Sequence, residues 1–186
     1  SEVGNDRVQM FSLAGIYQGQ FAAPGSGNGQ LNNPFVLAVD SAGNIYAADS
    51  ANNRVSKFDR TGNWLRHIAS GVSSPLGVAV DPADSVWVTS STSGNVYAYD
   101  SRGNYLSYYY GSGPFPTEGY FVGMRGIALT RPLDFAPYFG NSAVIVADGT
   151  GKTVQVFSTS LQPTAHPPMG TISGVGNFNG QVAFDS

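Results

Sequence analysis

Three short runs lie close together in one stretch of the chain: Val36-Leu37-Ala38-Val39-Asp40, Asn44-Ile45-Tyr46-Ala47-Ala48-Asp49 and Asn52-Asn53-Arg54-Val55-Ser56-Lys57-Phe58. Each is four to seven residues of β-branched, aromatic and small side chains, and turn residues such as Ser41-Ala42-Gly43 separate them, which is the pattern of strands joined by hairpins. The same three runs recur in order along the chain. The first returns as Gly77-Val78-Ala79-Val80-Asp81, Gly126-Ile127-Ala128-Leu129-Thr130 and Gln181-Val182-Ala183-Phe184-Asp185. The second returns as Ser85-Val86-Trp87-Val88-Thr89-Ser90 and Ala143-Val144-Ile145-Val146-Ala147-Asp148. The third is matched by Asn5-Asp6-Arg7-Val8-Gln9-Met10-Phe11, and more weakly by residues 93–99 and 151–157. The aligned valines Val8, Val55, Val96 and Val154 stand 47, 41 and 58 positions apart. Internal repetition at such a period marks an array of like units.

With a fourth run, Trp64-Leu65-Arg66-His67-Ile68, each unit reads as strands a, b, c and d of one antiparallel sheet, the size of a propeller blade. Gly and Ala in strand a suit a crowded axis, and Tyr46, Trp87, Phe58, Tyr99 and Phe157 are expected to fill the wedges between blades. No window keeps apolar residues at helical spacing, because Gly or Pro interrupts it, so a helix longer than about two turns is not expected. At these residues the chain resembles the NHL-repeat family of β-propellers. Residues 33–62 follow its pattern almost position by position, the third unit lacks the b-strand Asp and the Asn-Arg pair, and the fourth has Thr153 in place of the arginine.

The fold class expected is therefore all-β, a β-propeller of four-stranded antiparallel blades. One domain spans 1–186: strands c and d of a split blade in 1–21, blades in 32–68, 73–110 and 122–165, and a strand a in 178–186, making fifteen strands. About four blades fit in the chain. The resemblance implies rings of six most often, which need about 250 residues. The chain is thus expected to be a piece of a longer protein, the alternative being a four-bladed ring closed by its terminal segments. In either case the split blade lacks a strand b. Strand c at Arg7–Phe11 and strand a at Gln181–Asp185 then offer open edges, which another copy, another polypeptide or further blades of the same chain would pair.

Composition narrows the function. Of 186 residues 41% are hydrophobic and only 11% charged, with net charge −3 and the nine Lys and Arg scattered, so nucleic acid is not an expected partner. There is no cysteine, which removes disulfides, thiol catalysis and thiolate metal sites. No apolar run reaches the ~18 residues of a membrane span, and any targeting signal is expected outside this sequence. Few Lys and Glu beside much Gly, Ser, Asn and Tyr point to an extracellular or periplasmic setting.

Candidate chemistry is sparse. There is no Gly-x-Ser-x-Gly elbow, and the two histidines, His67 and His166, read as a strand-face and a loop residue. Glu2, Asp49, Ser90 and Asp148 occupy one repeated position after strand b. They could ring one channel mouth, with Asp49 and Asp148 as ligands of Ca²⁺, or each could cap its turn and pair with the arginine five residues on, Arg7 with Glu2 and Arg54 with Asp49. Repetition favours capping, because a fold requirement repeats and a site need not. Asp40, Asp81 and Asp185 likewise read as turn residues after strand a.

What does not repeat is aromatic. Tyr108, Tyr109 and Tyr110 lead into a loop with Phe115, Tyr120 and Phe121, and a second insertion carries Phe135, Tyr138 and Phe139. Such rings either contact protein or glycan partners or fold back over the molecule. The two insertions are expected on opposite faces, since d-to-a and b-to-c connections share one face and a-to-b and c-to-d connections the other. The other long d-to-a connections, 22–33 and 162–177, read as flexible surface loops. The function expected is a non-enzymatic module for protein or glycan interaction, or a subunit of an extracellular assembly, with no cofactor. The alternative is a metal-dependent lyase or lactone hydrolase with its site at the channel mouth.

Overall fold

The computed structural model describes residues 1–110, 124–129, 143–148, 153–158 and 170–173. Strands β1 (Val8–Phe11) and β2 (Tyr17–Phe21) form a two-stranded antiparallel sheet. A short parallel clasp of β3 (Ala23–Pro24) with β4 (Gln30–Leu31) follows. Three four-stranded antiparallel sheets come next, each in chain order. The first holds β5 (Pro34–Val39), β6 (Ile45–Asp49), β7 (Arg54–Phe58) and β8 (Trp64–Ile68). The second holds β9 (Pro75–Val80), β10 (Val86–Ser90), β11 (Asn95–Tyr99) and β12 (Tyr105–Tyr110). The third holds β13 (Met124–Leu129), β14 (Ala143–Asp148), β15 (Thr153–Ser158) and β16 (Gly170–Ser173). The leading strands β5, β9 and β13 lie side by side, so strand a is the innermost of each blade. The helices among the described residues are two three-residue 3-10 turns, Val3–Asn5 and Ser50–Asn52.

All the expected strands that fall on described residues are present, while the strand a expected in 178–186 lies outside them. Two boundaries differ from the sequence reading. The clasp β3–β4 sits in a segment read as plain loop. The outer strand of the last blade, Gly170–Ser173, lies beyond the 122–165 expected for that blade and inside the segment read as its trailing connection. The short Gly-Thr-Ile-Ser run follows Pro167 and Pro168, which read as the end of the blade.

Alternation of side chains builds the core. Ala47 faces the half-blade with Val8, Phe21, Leu31 and Phe58. Its neighbours Tyr46 and Ala48 face the next blade, with Val55, Ile68, Val78, Val86, Val88 and Tyr99. Trp87, between Val86 and Val88, points the other way to Val96, Tyr109, Ile127, Val146 and Phe157. A one-residue slip of any b strand would exchange these wedges, which pins the register. On the inner strand β9 the chain has Gly77, whose missing Cβ would lie 2.7 Å from Thr89 Oγ1 and 2.8 Å from Ile127 Cγ2 of the next blade's inner strand.

The hairpins repeat one turn. Asp40, Asp59, Asp81 and Asp100 each accept, through Oδ1, the backbone N–H of residues two and four further on, at 2.8–3.1 Å. In the Asp59 turn the fourth residue, Gly62, has φ +89 and packs on Phe21, two conditions that a side chain would violate together.

Candidate functional site

The end of the molecule where b–c turns emerge carries the repeated carboxylate position. Asp49 is fully buried at the end of β6. Its oxygens accept from Asn32 N–H at 2.7 Å, Asn52 Nδ2 at 2.9 Å and Arg54 Nε at 2.8 Å, with Ser56 Oγ at 3.4 Å. The Arg54 guanidinium goes on to donate to Ser26, Gly27 and Gln30 carbonyls at 2.8–3.1 Å, and Asn52 to the Gly25 carbonyl. The 22–33 connection is therefore tied down along its length, not a loosely held loop, because its carbonyls are the acceptors that a nearly buried guanidinium requires. Glu2 pairs with Arg7 in the same way at a more exposed site, and that hydrogen bond, the largest influence, holds its carboxyl below the usual range. Ser90 does the same work without charge, its Oγ donating to the Ser73 carbonyl at 2.7 Å. Asp148 ends β14 in register with Met124 and Thr153, and its side chain lies outside the described residues. With its oxygens facing protein donors, Asp49 offers a cation no open coordination site.

A second contact repeats here that the sequence reading missed. Asp6 and Asn53, both left-handed at φ 51 and 53, accept from the backbone N–H of the residue just ahead of the next strand a: Asp6 Oδ1 from Asn33 at 2.6 Å, Asn53 Oδ1 from Ser74 at 2.8 Å. The matched pair Asn5-Asp6-Arg7 and Asn52-Asn53-Arg54 was the signal for it.

Beside Asp49 stands the one histidine among the described residues. His67 Nδ1 lies 3.2 Å from Ser56 Oγ and Nε2 lies 3.2 Å from Asn28 Oδ1. Burial, then the charge of Arg54, holds the imidazole below 6.5 against the opposing pull of Asp49. Serine, histidine and aspartate thus meet, but in the order Asp49–Ser56–His67. Ser56 is fully buried, so its hydroxyl is a link and not an exposed nucleophile.

At the opposite end, where a–b turns emerge, a shallow concavity is lined by Val39, Val80 and Leu129 with Asp40, Asp81 and Asp84. These carboxylates are committed too. Asp40 Oδ2 accepts from Tyr46 OH at 3.0 Å and Asn44 Nδ2 at 2.8 Å and pairs with Lys57 Nζ at 3.3 Å. Burial raises the Asp40 pKa, but these bonds outweigh it and leave it below 3.8. Asp81 Oδ2 accepts from Trp87 Nε1 at 3.0 Å, the same link six residues on, and Asp84 accepts from Ser41 N–H and Oγ of the preceding blade. Among the described residues no three of His, Asp and Glu gather as a metal site.

Of the aromatic candidates, Tyr109 is a core residue, 1% exposed, its ring 5.5 Å from Trp87 and 5.1 Å from Phe157. It faces the next blade because it sits opposite Val96 on the inner-wedge side of β12, and burial pushes its phenol up to about 12. Tyr108, one residue earlier, points the other way and is 38% exposed, stacked on Tyr97. Tyr110 ends β12, and Phe115, Tyr120, Phe121, Phe135, Tyr138 and Phe139 lie outside the described residues, as does Asp185. Apolar side chains that the sequence reading did not single out, Phe11, Leu13, Ile16 and Tyr17, are more than half exposed on the β1–β2 hairpin.

Residues 31–58 match the NHL repeat. Protein lin-41 of Caenorhabditis elegans is 44% identical over 45 residues, 24% of this chain and 4% of that protein. Among solved structures, virginiamycin B lyase from Staphylococcus aureus superposes with a TM-score of 0.62 at 16% identity, over 87% of this chain and 48% of that one. A streptogramin B lyase gives 0.61 at 16% identity, over 86% and 47%. The chain therefore spans about half the length of these structures and a small part of the curated relative.

Proposed function

We propose that this chain, which carries an NHL repeat at residues 31–58 and has a β-propeller fold, is a non-enzymatic interaction module that takes protein partners by strand addition. The observation that carries this is the β1–β2 hairpin: among the described residues β1 pairs with β2 alone, where every blade strand of its type has neighbours on both sides. An edge with exposed Phe11, Leu13, Ile16 and Tyr17 next to it offers both ladder hydrogen bonds and apolar area to an extended segment. The aromatic loops around Phe115 and Phe135 are a second contact element in this reading, and the setting is an extracellular or periplasmic assembly. The test is a labelled peptide of the chain's own b-strand, residues 43–50, titrated against the protein. Saturable binding that disappears when Ala47 of the peptide is replaced by proline supports strand addition. Absence of binding, or equal binding of the proline peptide, refutes it.

A second reading is favoured by the likeness to the two lyases: a metal-dependent lyase or lactone hydrolase with Asp148 at the channel mouth. Calorimetric titration with Ca²⁺ separates the two, since this reading requires uptake that is lost in Asp148→Asn.

A further inference from the structure

We infer that the outer face of the β1–β2 hairpin is one half of a head-to-tail contact with a second copy of this chain, the other half being the partner copy's β16. Three residues after its aligned valine every unit has an aromatic: Phe11, Phe58, Tyr99 and Phe157. In the three full blades this ring is buried, at 0%, 9% and 0% exposed. Each is covered by the unit before it. Phe58 lies 4.9 Å from Phe21, Tyr99 shares a core with Ile68, and Phe157 lies 5.1 Å from Tyr109. Phe11 is instead 56% exposed, and Tyr17, its partner across the hairpin, 51%.

The half-blade is built for the same contact as its sisters. Phe11 pairs with Tyr17 just after a register shift, as Phe58 does with Trp64 and Tyr99 with Tyr105. The Phe11 and Tyr17 rings meet edge-on at 5.8 Å, those of Tyr99 and Tyr105 at 5.9 Å. Val8 and Met10 pack on the following blade, so Gln9 and Phe11, which alternate with them, turn the other way. Beside the aromatic pair stand Gln9 and Gln20, which are uncharged, and the cation at the far end, Arg7, already has Glu2. Docking there leaves no bare ion out of water.

What covers the equivalent rings names the occupant. Each meets the d-strand residue that stands opposite the preceding unit's aligned valine: Phe21 opposite Val8, Ile68 opposite Val55, Tyr109 opposite Val96. The fourth such position, opposite Val154 on β16, is Ile172, again an apolar residue. The chain thus carries both halves of a contact that it makes three times internally. It spans about half the length of the propellers it superposes on, so two copies that each give β1–β2 to the other's β16 complete a ring of that size. Such an exchange has two-fold symmetry and uses both faces of each copy, so it stops at two. It needs no pairing along β1, and so stands or falls apart from strand addition.

The experiment is sedimentation equilibrium of the 186-residue chain, with a mass of twice 19.5 kDa expected at concentrations up to about 100 µM, where a contact of ordinary size is populated. Phe11→Lys and Ile172→Lys are each expected to weaken the dimer by about tenfold or more, because each sets a charge in both contacts. An equimolar mixture of the two variants forms pairs with one contact intact and should associate more tightly than either alone. Leu13→Lys should leave the mass unchanged. Leu13 is the most exposed apolar side chain among the described residues, but its counterpart Arg60 is exposed in a blade that has neighbours on both sides. Near-UV circular dichroism shows which variants are folded, and if Ile172→Lys is not, Phe11→Lys and Leu13→Lys decide the matter. The inference is overturned if the chain stays monomeric, if it forms open polymers, or if folded Phe11→Lys dimerises as the parent does. Equal dissociation by Leu13→Lys overturns it too, since that marks unspecific apolar association. A monomer that still binds the 43–50 peptide keeps strand addition and removes this contact.

Discussion

At the scale of single residues, the same sequence position carries different weight in different blades. The Asp49–Arg54 pair is closed off from water, with side chains 0% and 11% exposed, and Arg54 also holds the Ser26, Gly27 and Gln30 carbonyls of the 22–33 connection. Arg54→Ala leaves a buried carboxylate short of its main donor and should cost about 3 kcal/mol in urea unfolding. Arg7→Ala, at a pair about a third exposed, should cost far less and should lose its effect in high salt. His67 gives the pH dependence. Its pKa is lower folded than unfolded, so the unfolded chain binds the proton more readily. The stability it contributes is complete above 6.5 and is lost as pH falls from there through the folded value. Thermal melts between pH 7 and 5 should show this step, and His67→Gln should flatten it. A separate loss follows at lower pH as Asp40, whose carboxyl is held below 3.8, takes up its proton.

At the scale of elements, strand a is where backbone crowding decides the residue. Gly77→Ala places a methyl against Thr89 and Ile127 and should cost about 1–3 kcal/mol, seen as a lower urea midpoint with an unchanged slope. Its smallness was readable in the sequence, as were the strands, their order and the wedge residues Tyr46, Trp87, Phe58, Tyr99 and Phe157, because alternation and turn residues are local signals. The pairings Arg54 with Asp49 and Arg7 with Glu2 were readable for the same reason, five residues apart across one turn. The clasp of Asn53 on Ser74 was not, since it joins different blades, nor was the inward orientation of Tyr109. A run of three tyrosines has no intrinsic inside, and only the register against Val96 and Tyr97 assigns Tyr109 to the core and turns Tyr108 the other way.

At the scale of the whole molecule, the array is unequal. A two-stranded hairpin is marginal without further neighbours, whereas β6 and β10 are paired on both sides and covered on both faces. Amide hydrogen exchange should therefore be fastest in β1 and β2 and slowest in β6 and β10, and addition of a peptide that pairs with β1 should slow exchange there first. Where function sits was the least legible part, because the buried carboxylates and the histidine among the described residues, Asp40, Asp49 and His67, are occupied by the fold.

The Asp6 and Asn53 contacts give the array a direction. Each is a hook on one unit whose eye belongs to the following unit: Asp6 catches Asn33, Asn53 catches Ser74. A segment running from just after one hook through the next carries exactly one of each, whatever its length. Deleting residues 7–53 would set Asp6 where Asn53 stands, ahead of Arg54 and facing Ser74, so that junction keeps its hook while the number of units changes; the third unit, with Gly94 at the hook position, has no such side chain.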